Sequence, residues 1–410
     1  MKHRSSVTIR DVAHLAGVAA STVSMALSDH PDIAEGTRRA VREAAAKLHY
    51  TPNHSARSLR GSLQRAIGVV IPHSSAHVFS HPYFMDLLGG IADVANAHDF
   101  VVLLSTARAE DDEEGAYLKM LRGQRVDGII LASAALFDRH VMELAVSGYP
   151  FVFLGRYPLN PGITTVGIDD VAGADLVTSH LLAHGYRAVA HISGPLRHLS
   201  AADRRDGYCR ALARAGIPAL DDDIIEGDYS EESGRRAAVR LLDRPTRPRA
   251  VFAGNDEMAF GALDVFRGQG VRVPEDIALA GFDDLAIARV MTPALTTVHQ
   301  PIRALGGAAA ERLIALARGH EVADRQTVLP VTLSIRDSCG AAPSRGGRRW
   351  RDTAVGVGRA RIRPCPCTSV YLFTYHHIEG ELACVSVASN KQRASPAPPG
   401  SARWRSRRRP

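Results

Sequence analysis

No stretch of these 410 residues approaches the roughly 18 consecutive apolar residues of a membrane span, and the start "MKHRSSVTIRD" lacks the apolar core of a secretion signal. A cytoplasmic protein without a membrane partner is expected. Cysteine is scarce: Cys209 is alone in the first 338 residues, and Cys339, Cys365, Cys367 and Cys384 fall in the last 72, so no disulfide framework supports the main fold. Lysine is nearly missing, since 46 of the 50 basic residues are arginine, which fits a GC-rich coding sequence. Also absent are a GxGxxG dinucleotide fingerprint, a GK[ST] phosphate loop, a GxSxG nucleophile elbow and an HExxH zinc pair. Those absences make binding a simpler reading than catalysis, with no cofactor and no metal.

What is present suits a globular chain: 45% hydrophobic residues and enough length for two or three domains. Its charge is divided by region. Residues 1–67 carry a net +5, residues 68–337 a net −9 and residues 338–410 a net +11. A small basic head on an acidic body points to a head that meets a polyanion such as nucleic acid.

In the head, Thr8 stands three residues before Asp11, the spacing of a helix-starting capping box. Ile9, Val12, Ala13 and Ala16 then follow at helical spacing up to Gly17. In the next helix Val23, Ala26 and Leu27 face inward, and Ser21, Ser24, Met25 and Ser28 line the other face. A third helix buries Val41, Ala44, Ala45 and Leu48 and leaves Arg38, Arg39 and Arg42 in solvent. Two short helices joined by a tight turn and closed by a third fit a helix-turn-helix, and fit a generic three-helix cap about equally well.

From Ala66 the pattern changes. "AIGVVI", "FVVLLS", "DGIILAS", "PFVFLG", "AVAHIS", "RAVFAG" and "IALAGF" read as buried parallel strands separated by amphipathic helices. Two similar halves, the second starting near Gly167, suggest subdomains facing a cleft at the strand C-termini.

"TIRDVAHLAGVAASTVSMALSDHPDIAEGTRRAVREAAAKLHYTPNHSARSLR" resembles the DNA-binding segment of the lactose-repressor (LacI/GalR) family of bacterial transcription regulators. "GNDEMAFGAL", "RVPEDIALAGFDD" and "PALTTVHQP" resemble that family's regulatory core, itself similar to periplasmic sugar-binding proteins. The resemblance implies an α/β protein: a helix-turn-helix head over 1–51, a hinge helix over 52–65, and a two-subdomain periplasmic-binding-protein-like effector and dimerisation core with parallel sheets over 66–337. It implies a homodimeric regulator, usually a repressor, that binds a pseudo-palindromic double-stranded operator and is switched by a small effector, a sugar by preference. Ala20, Ser21 and Met25 match base-reading positions, and Thr22 and Ser24 phosphate-contacting and supporting ones. Thr8 joins this DNA-facing set. In the hinge, Asn53, His54, Ala56, Arg57 and Arg60 accompany Leu59, which matches the side chain wedged into the minor groove.

Three positions depart from the family. Ala19 and Ala34 replace helix-capping residues, each at a cost of about 1 kcal/mol. Met25 stands where an Arg is common; it cannot offer the bidentate pair that selects guanine, but its thioether suits a thymine methyl.

For the effector, the resemblance points to Arg204 as the anchoring Arg and Asp283 as its acidic partner, with Asn255, Ser200, Tyr83 and Phe84 at further pocket positions. An Arg fork with carboxylate and amide groups suits vicinal hydroxyls, and an aromatic face packs on a sugar ring. A surface salt bridge for Arg204, and core packing for Tyr83 and Phe84, are the plainer alternatives. Arg156 and Asp169 fall at strand ends and join the candidates. A different class of reading is a sugar-binding or sugar-processing protein with an incidental helical cap. After Asp337 an Arg-, Gly- and Pro-crowded tail begins, expected to be mostly disordered or the product of a shifted frame. "CPC" with His376 and His377 matches no common zinc spacing.

Overall fold

A computed structural model of the chain describes residues 7–27, 30–48, 50, 63–107, 125–132, 139–158, 160–340, 375–378 and 381–384. The hinge residues Asn53, His54, Ala56, Arg57, Leu59 and Arg60, with Cys365 and Cys367, lie outside them.

The head consists of α1 (Ile9–Ala16), α2 (Ala20–Leu27) and α3 (Glu35–Lys47). At its start the Thr8 backbone N–H and hydroxyl both donate to the Asp11 carboxylate, at 2.7 and 2.8 Å, and hold that carboxyl below its usual range. Gly17, at φ +67°, ends α1 in the left-handed region that glycine adopts freely. The three helices share a core of Val12, Ala13, Val23, Ala26, Val41, Ala44 and Ala45.

Arg38 departs from the solvent position expected of it. Its guanidinium folds back to donate to the carbonyls of His30 and Ile33, at 3.2 and 3.0 Å, and pairs with Glu35 at 2.6 Å. Ala34 makes no side-chain cap, and Arg38, which only donates, ties the preceding loop to the helix without satisfying its first N–H groups.

The body holds two six-stranded sheets. The first contains β1 (Ala66–Ser74), β2 (Val101–Ala107), β3 (Gly128–Ala132), β4 (Phe151–Leu154), β5 (Thr165–Ile168) and β11 (Gln326–Leu329), in the order β11-β5-β4-β3-β1-β2. All its pairings are parallel. The second contains β6 (Val189–Ser193), β7 (Ile224–Glu226), β8 (Ala250–Ala253), β9 (Ala278–Asp283), β10 (Thr296–His299) and β12 (Thr332–Ser334), in the order β12-β10-β9-β8-β6-β7. Only β12 runs antiparallel.

Between the strands run α4 (Ser75–Ser80), α5 (Pro82–Ala97), α6 (Arg139–Ser147), α7 (Asp170–Ala183), α8 (Leu199–Arg214), α9 (Glu231–Leu242), α10 (Asp256–Gly268) and α11 (Ile302–Ala317). Helix α5 packs on α11, α7 on α8, and α9 on α10. The first of these contacts needs glycine. A Cβ at Gly90 would lie 1.9 Å from the Arg303 carbonyl oxygen, and one at Gly306 would lie 2.2 Å from that of Leu87.

Three expectations need correction. The strand "FVVLLS" is not buried: among the described residues β2 has a neighbour on one side only, and Val101 and Leu103 are exposed. Nor does the body divide into sequential halves. The chain crosses between sheets near Asp169, again at Gln300–Pro301, and a third time between β11 and β12, so each sheet is completed by a strand from late in the chain. Finally, the core does not stop at Asp337. Ser338 and Cys339 are buried, and the Ser338 hydroxyl accepts from the Thr296 N–H at 2.8 Å and donates to the Leu279 carbonyl at 2.6 Å.

Farther along, β13 (Tyr375–Ile378) and β14 (Glu381–Cys384) pair as an antiparallel hairpin within the stretch expected to be mostly disordered. Among the described residues no helix is long and apolar enough to cross a membrane, and no group of three or more His, Cys, Asp or Glu is placed to hold a metal ion.

Candidate functional site

Because all strands but β12 run parallel within their sheets, the C-terminal ends of the central strands face one cleft. A cavity of about 460 Å³ occupies it, lined from one side by His73, His77, His81, Tyr83, Phe84 and the ends of β3, β4 and β5. From the other side come His198, Ser200, Arg204, Tyr229, Asn255 and Asp283, with Asp170 and Gln300 from the crossovers. Volume and position are those of a small-molecule site.

Arg204 is the electrostatic centre. It is 6% exposed, its guanidinium donates to Asp170 at 2.8 Å and to the Gly254 carbonyl at 2.5 Å, and the group lies 3.7 Å above the Phe282 ring. The Asp283 carboxylate stands 3.8 Å away on the other side and accepts from Gln300 Nε2 at 2.5 Å. Burial opposes the arginine's charge, but Asp170, Tyr229 and Asp283 more than offset it and raise its pKa. Burial also lifts the Asp283 carboxyl, to about 6, against the pull of Arg204. Asp283 has φ +117° and Asp284 φ +59°, so two consecutive aspartates hold unfavourable backbone conformations at the end of β9. Asp284 is tied down there by Arg289, His299 and Arg336.

The imidazoles form the opposite wall. His73 and His77 have ring centroids 4.9 Å apart, and His73 stacks on His198 across the cleft at 6.2 Å. Burial, with His77 next in weight, pushes the His73 pKa down to about 3, and burial takes His198 to about 4, so both rings are neutral at neutral pH. His81 bridges the subdomains: its Nε2 meets Glu257 of α10 at 2.8 Å, and its Nδ1 finds no hydrogen-bond partner among the described residues.

In the head, Ser21 is exposed and Ser24 and Met25 are half-buried on the face of α2 away from Val23 and Ala26, while Thr22, also half-buried, flanks Ala26 one turn earlier. Ala20 packs in part on the head's core.

Two comparisons cover this architecture between them. Residues 8–53 match the family described as bacterial regulatory proteins, lacI family, and residues 64–336 match periplasmic binding proteins and sugar binding domain of LacI family. The chain belongs to the LacI family.

Its relatives include catabolite control protein A of Priestia megaterium, 35% identical over 81% of this chain and 99% of that protein. The transcriptional regulator CelR of Thermobifida fusca is 34% identical over 82% of this chain and 100% of its own length. Among solved structures, a lac repressor dimer bound to operator and the anti-inducer ONPF is similar at TM-score 0.71 and 32% identity, over 82% of this chain and 99% of that one. A CelR–cellobiose complex is similar at TM-score 0.64 and 32% identity, over 81% and 99%. This LacI-family chain is accordingly a transcriptional regulator.

Of its candidate effector residues, Tyr83, Phe84, Ser200, Arg204, Asn255 and Asp283 come together around the cavity. Arg204 is no surface ion pair. Asn255 is partly committed: its Oδ1 caps α10 by accepting from the Met258 N–H, and its Nδ2 donates to the Tyr229 carbonyl. The Ser200 hydroxyl is paired with that of Tyr229 at 3.0 Å. Arg156 and Asp169 are outside the lining residues. Arg156 is half-exposed and held by both oxygens of Asp203, at 3.0 and 2.6 Å, while Asp169 is exposed and caps α7 through the Ala172 N–H. Its neighbour Asp170 turns inward instead, because the first residue of α7 points towards the cleft.

Asp170, Tyr229 and Gln300 are additions that the sequence reading missed. So are His73, His77 and His81, although their recurrence every four residues in "HSSAHVFSH" is visible in the chain.

Proposed function

We propose that this regulator is a repressor that binds a pseudo-palindromic operator as a homodimer and is controlled by a small polyhydroxy ligand, a sugar, held between the two subdomains. The observation that carries the reading is the buried Arg204 between Asp170 and Asp283 at the mouths of two parallel sheets. Such a charged group pays for its burial only when it is held in register by partners, and the same fork and carboxylates are matched to vicinal hydroxyls. Ligand contacts on both walls would favour the closed arrangement of the subdomains, and through the hinge would alter the spacing of two heads on one operator. Effector and operator affinities are then coupled reciprocally.

The DNA contacts belong to the exposed face of α2, with Ser21 and Met25 towards the bases, and to the hinge, with Leu59 as wedge and Arg57 and Arg60 beside the phosphates. Tyr83, Phe84, Ser200, Arg204, Asn255 and Asp283 belong to the effector. The reading is not enzymatic: Asp170 and Asp283, the two buried carboxylates of the cavity, both face Arg204 and serve in it as its partners.

A gel-shift screen of the full chain on its own upstream DNA, with and without candidate sugars, tests this. A retarded band that one sugar shifts is the expected result. No band at low salt overturns the DNA-binding reading.

A further inference from the structure

We propose that the cavity selects its ligand for the absence of negative charge: it takes an uncharged polyhydroxy compound and rejects the phosphorylated or carboxylated analogue. The proposal rests on the reading of the cavity as the effector site and narrows the class of effector.

The argument is one of charge already spent. The buried cation among the described lining residues is Arg204, and it is bonded to Asp170 and faced by Asp283, two carboxylates against one guanidinium. Arg156, which could have swung in as a second cation, is held on both oxygens of Asp203 outside the lining. Arg197 is exposed, at the rim, where solvent screens it. The lining also carries Glu226 and Asp228.

The histidines do not reverse this balance. His73 and His198 are stacked and largely removed from water, a setting in which a proton on either ring would be poorly hydrated and close to other imidazoles. His81 has its Nε2 on Glu257. The cavity therefore offers carboxylate acceptors and, in His73 and His198, neutral imidazoles that both donate and accept, which is the complement of hydroxyl groups. A phosphate monoester would bring roughly one and a half to two negative charges to a place where every buried positive charge is already balanced. Its rejection is built from unpaired like charge, the repulsive half of specificity.

The test is calorimetric titration of the full chain with matched pairs: glucose and glucose 6-phosphate, ribose and ribose 5-phosphate, and glucose and gluconate. Where a pair binds, the neutral member is expected to bind at least about tenfold more tightly. An anionic member that binds as tightly or more tightly overturns the inference and leaves the cavity's role as effector site intact. A panel in which no member binds counts against the sugar reading, and inorganic phosphate then decides the inference by itself. At constant ionic strength, phosphate is expected to leave the melting temperature of the wild-type chain unchanged. It is expected to raise that of the double variant Asp170→Asn, Asp283→Asn saturably, because only the loss of both carboxylates leaves Arg204 with uncompensated charge. Saturable stabilisation of the wild type overturns the proposal, as does its absence from the folded double variant.

Discussion

His81, one residue before α5, and Glu257, in the first turn of α10, meet at 2.8 Å across the cleft, both largely buried, so that opposite subdomains are joined beside the cavity. A second bridge, Arg156 to Asp203, joins the same two units. Glu257→Gln should cost about 1–3 kcal/mol of stability, because the imidazole loses a charge-assisted partner in a dry site. Arg156→Met should cost under about 1 kcal/mol, since that arginine side chain is 54% exposed and solvent screens the pair. Chemical denaturation checks the order of the two. Equal losses would show that burial does not set the strength of these bridges.

Arg204→Met should be the most damaging single change in the cavity. It strands Asp170 and Asp283 in a buried site, at a cost of about 3–5 kcal/mol. Operator release by the effector should be lost even where the head still binds DNA. A variant that keeps both its melting temperature and its effector response would remove Arg204 from the centre of the site.

The entry of α3 can be improved. Ala34→Ser places a hydroxyl where the helix now has no side-chain cap and should stabilise the head by about 0.5–1 kcal/mol. Differential scanning calorimetry reads the gain. No change would mean that water already satisfies the first N–H groups of α3, since Arg38 donates to the His30 and Ile33 carbonyls and has no acceptor to offer them.

Met25→Arg should shift base preference towards guanine at one symmetric pair of operator positions, because a guanidinium can make the bidentate contact that a thioether cannot. Selection from a randomised operator library checks it. An unchanged preference would mean that the half-buried Met25 does not face the bases.

His73 and His198 make stability depend on pH in a definite direction. Their folded pKa values, about 3 and about 4, lie below the ordinary value of 6.5, so below that value the unfolded chain binds more protons than the folded one. Their contribution is complete above pH 6.5 and is lost as the pH falls from there towards 4. The raised carboxyl of Asp283 works in the opposite sense, so the comparison must be with a variant. The double substitution His73→Asn, His198→Asn should flatten the fall in melting temperature between pH 6.5 and 4.5. An equally steep fall would assign the acid sensitivity to other groups.

Much of this architecture is legible in the chain because its signals are local. The stripes Val12–Ala13, Val23–Ala26 and Val41–Ala44–Ala45 repeat at helical spacing and become the head's core. Apolar runs such as "GIILA" and "AVFA" become central strands, buried on both faces. Arg204, Asp283 and Asn255 could be picked out because motif resemblance acts residue by residue. The short strands β5, β7, β11 and β12 carry three or four residues each, too few for a period to emerge.

Local pattern therefore determines the helical head and the alternation of strands and helices, and motif resemblance singles out Arg204. It cannot determine that Asp170 rather than Asp169 turns inward, that Arg156 is spent on Asp203, or that His81 reaches Glu257 from 176 residues away. Those outcomes depend on three crossings between sheets, which bring distant strand ends to one cleft. Only when both walls stand in place does the local rotation of each side chain become a choice between solvent, a partner and the cavity. The balance of charge around Arg204 is a property of that closed space.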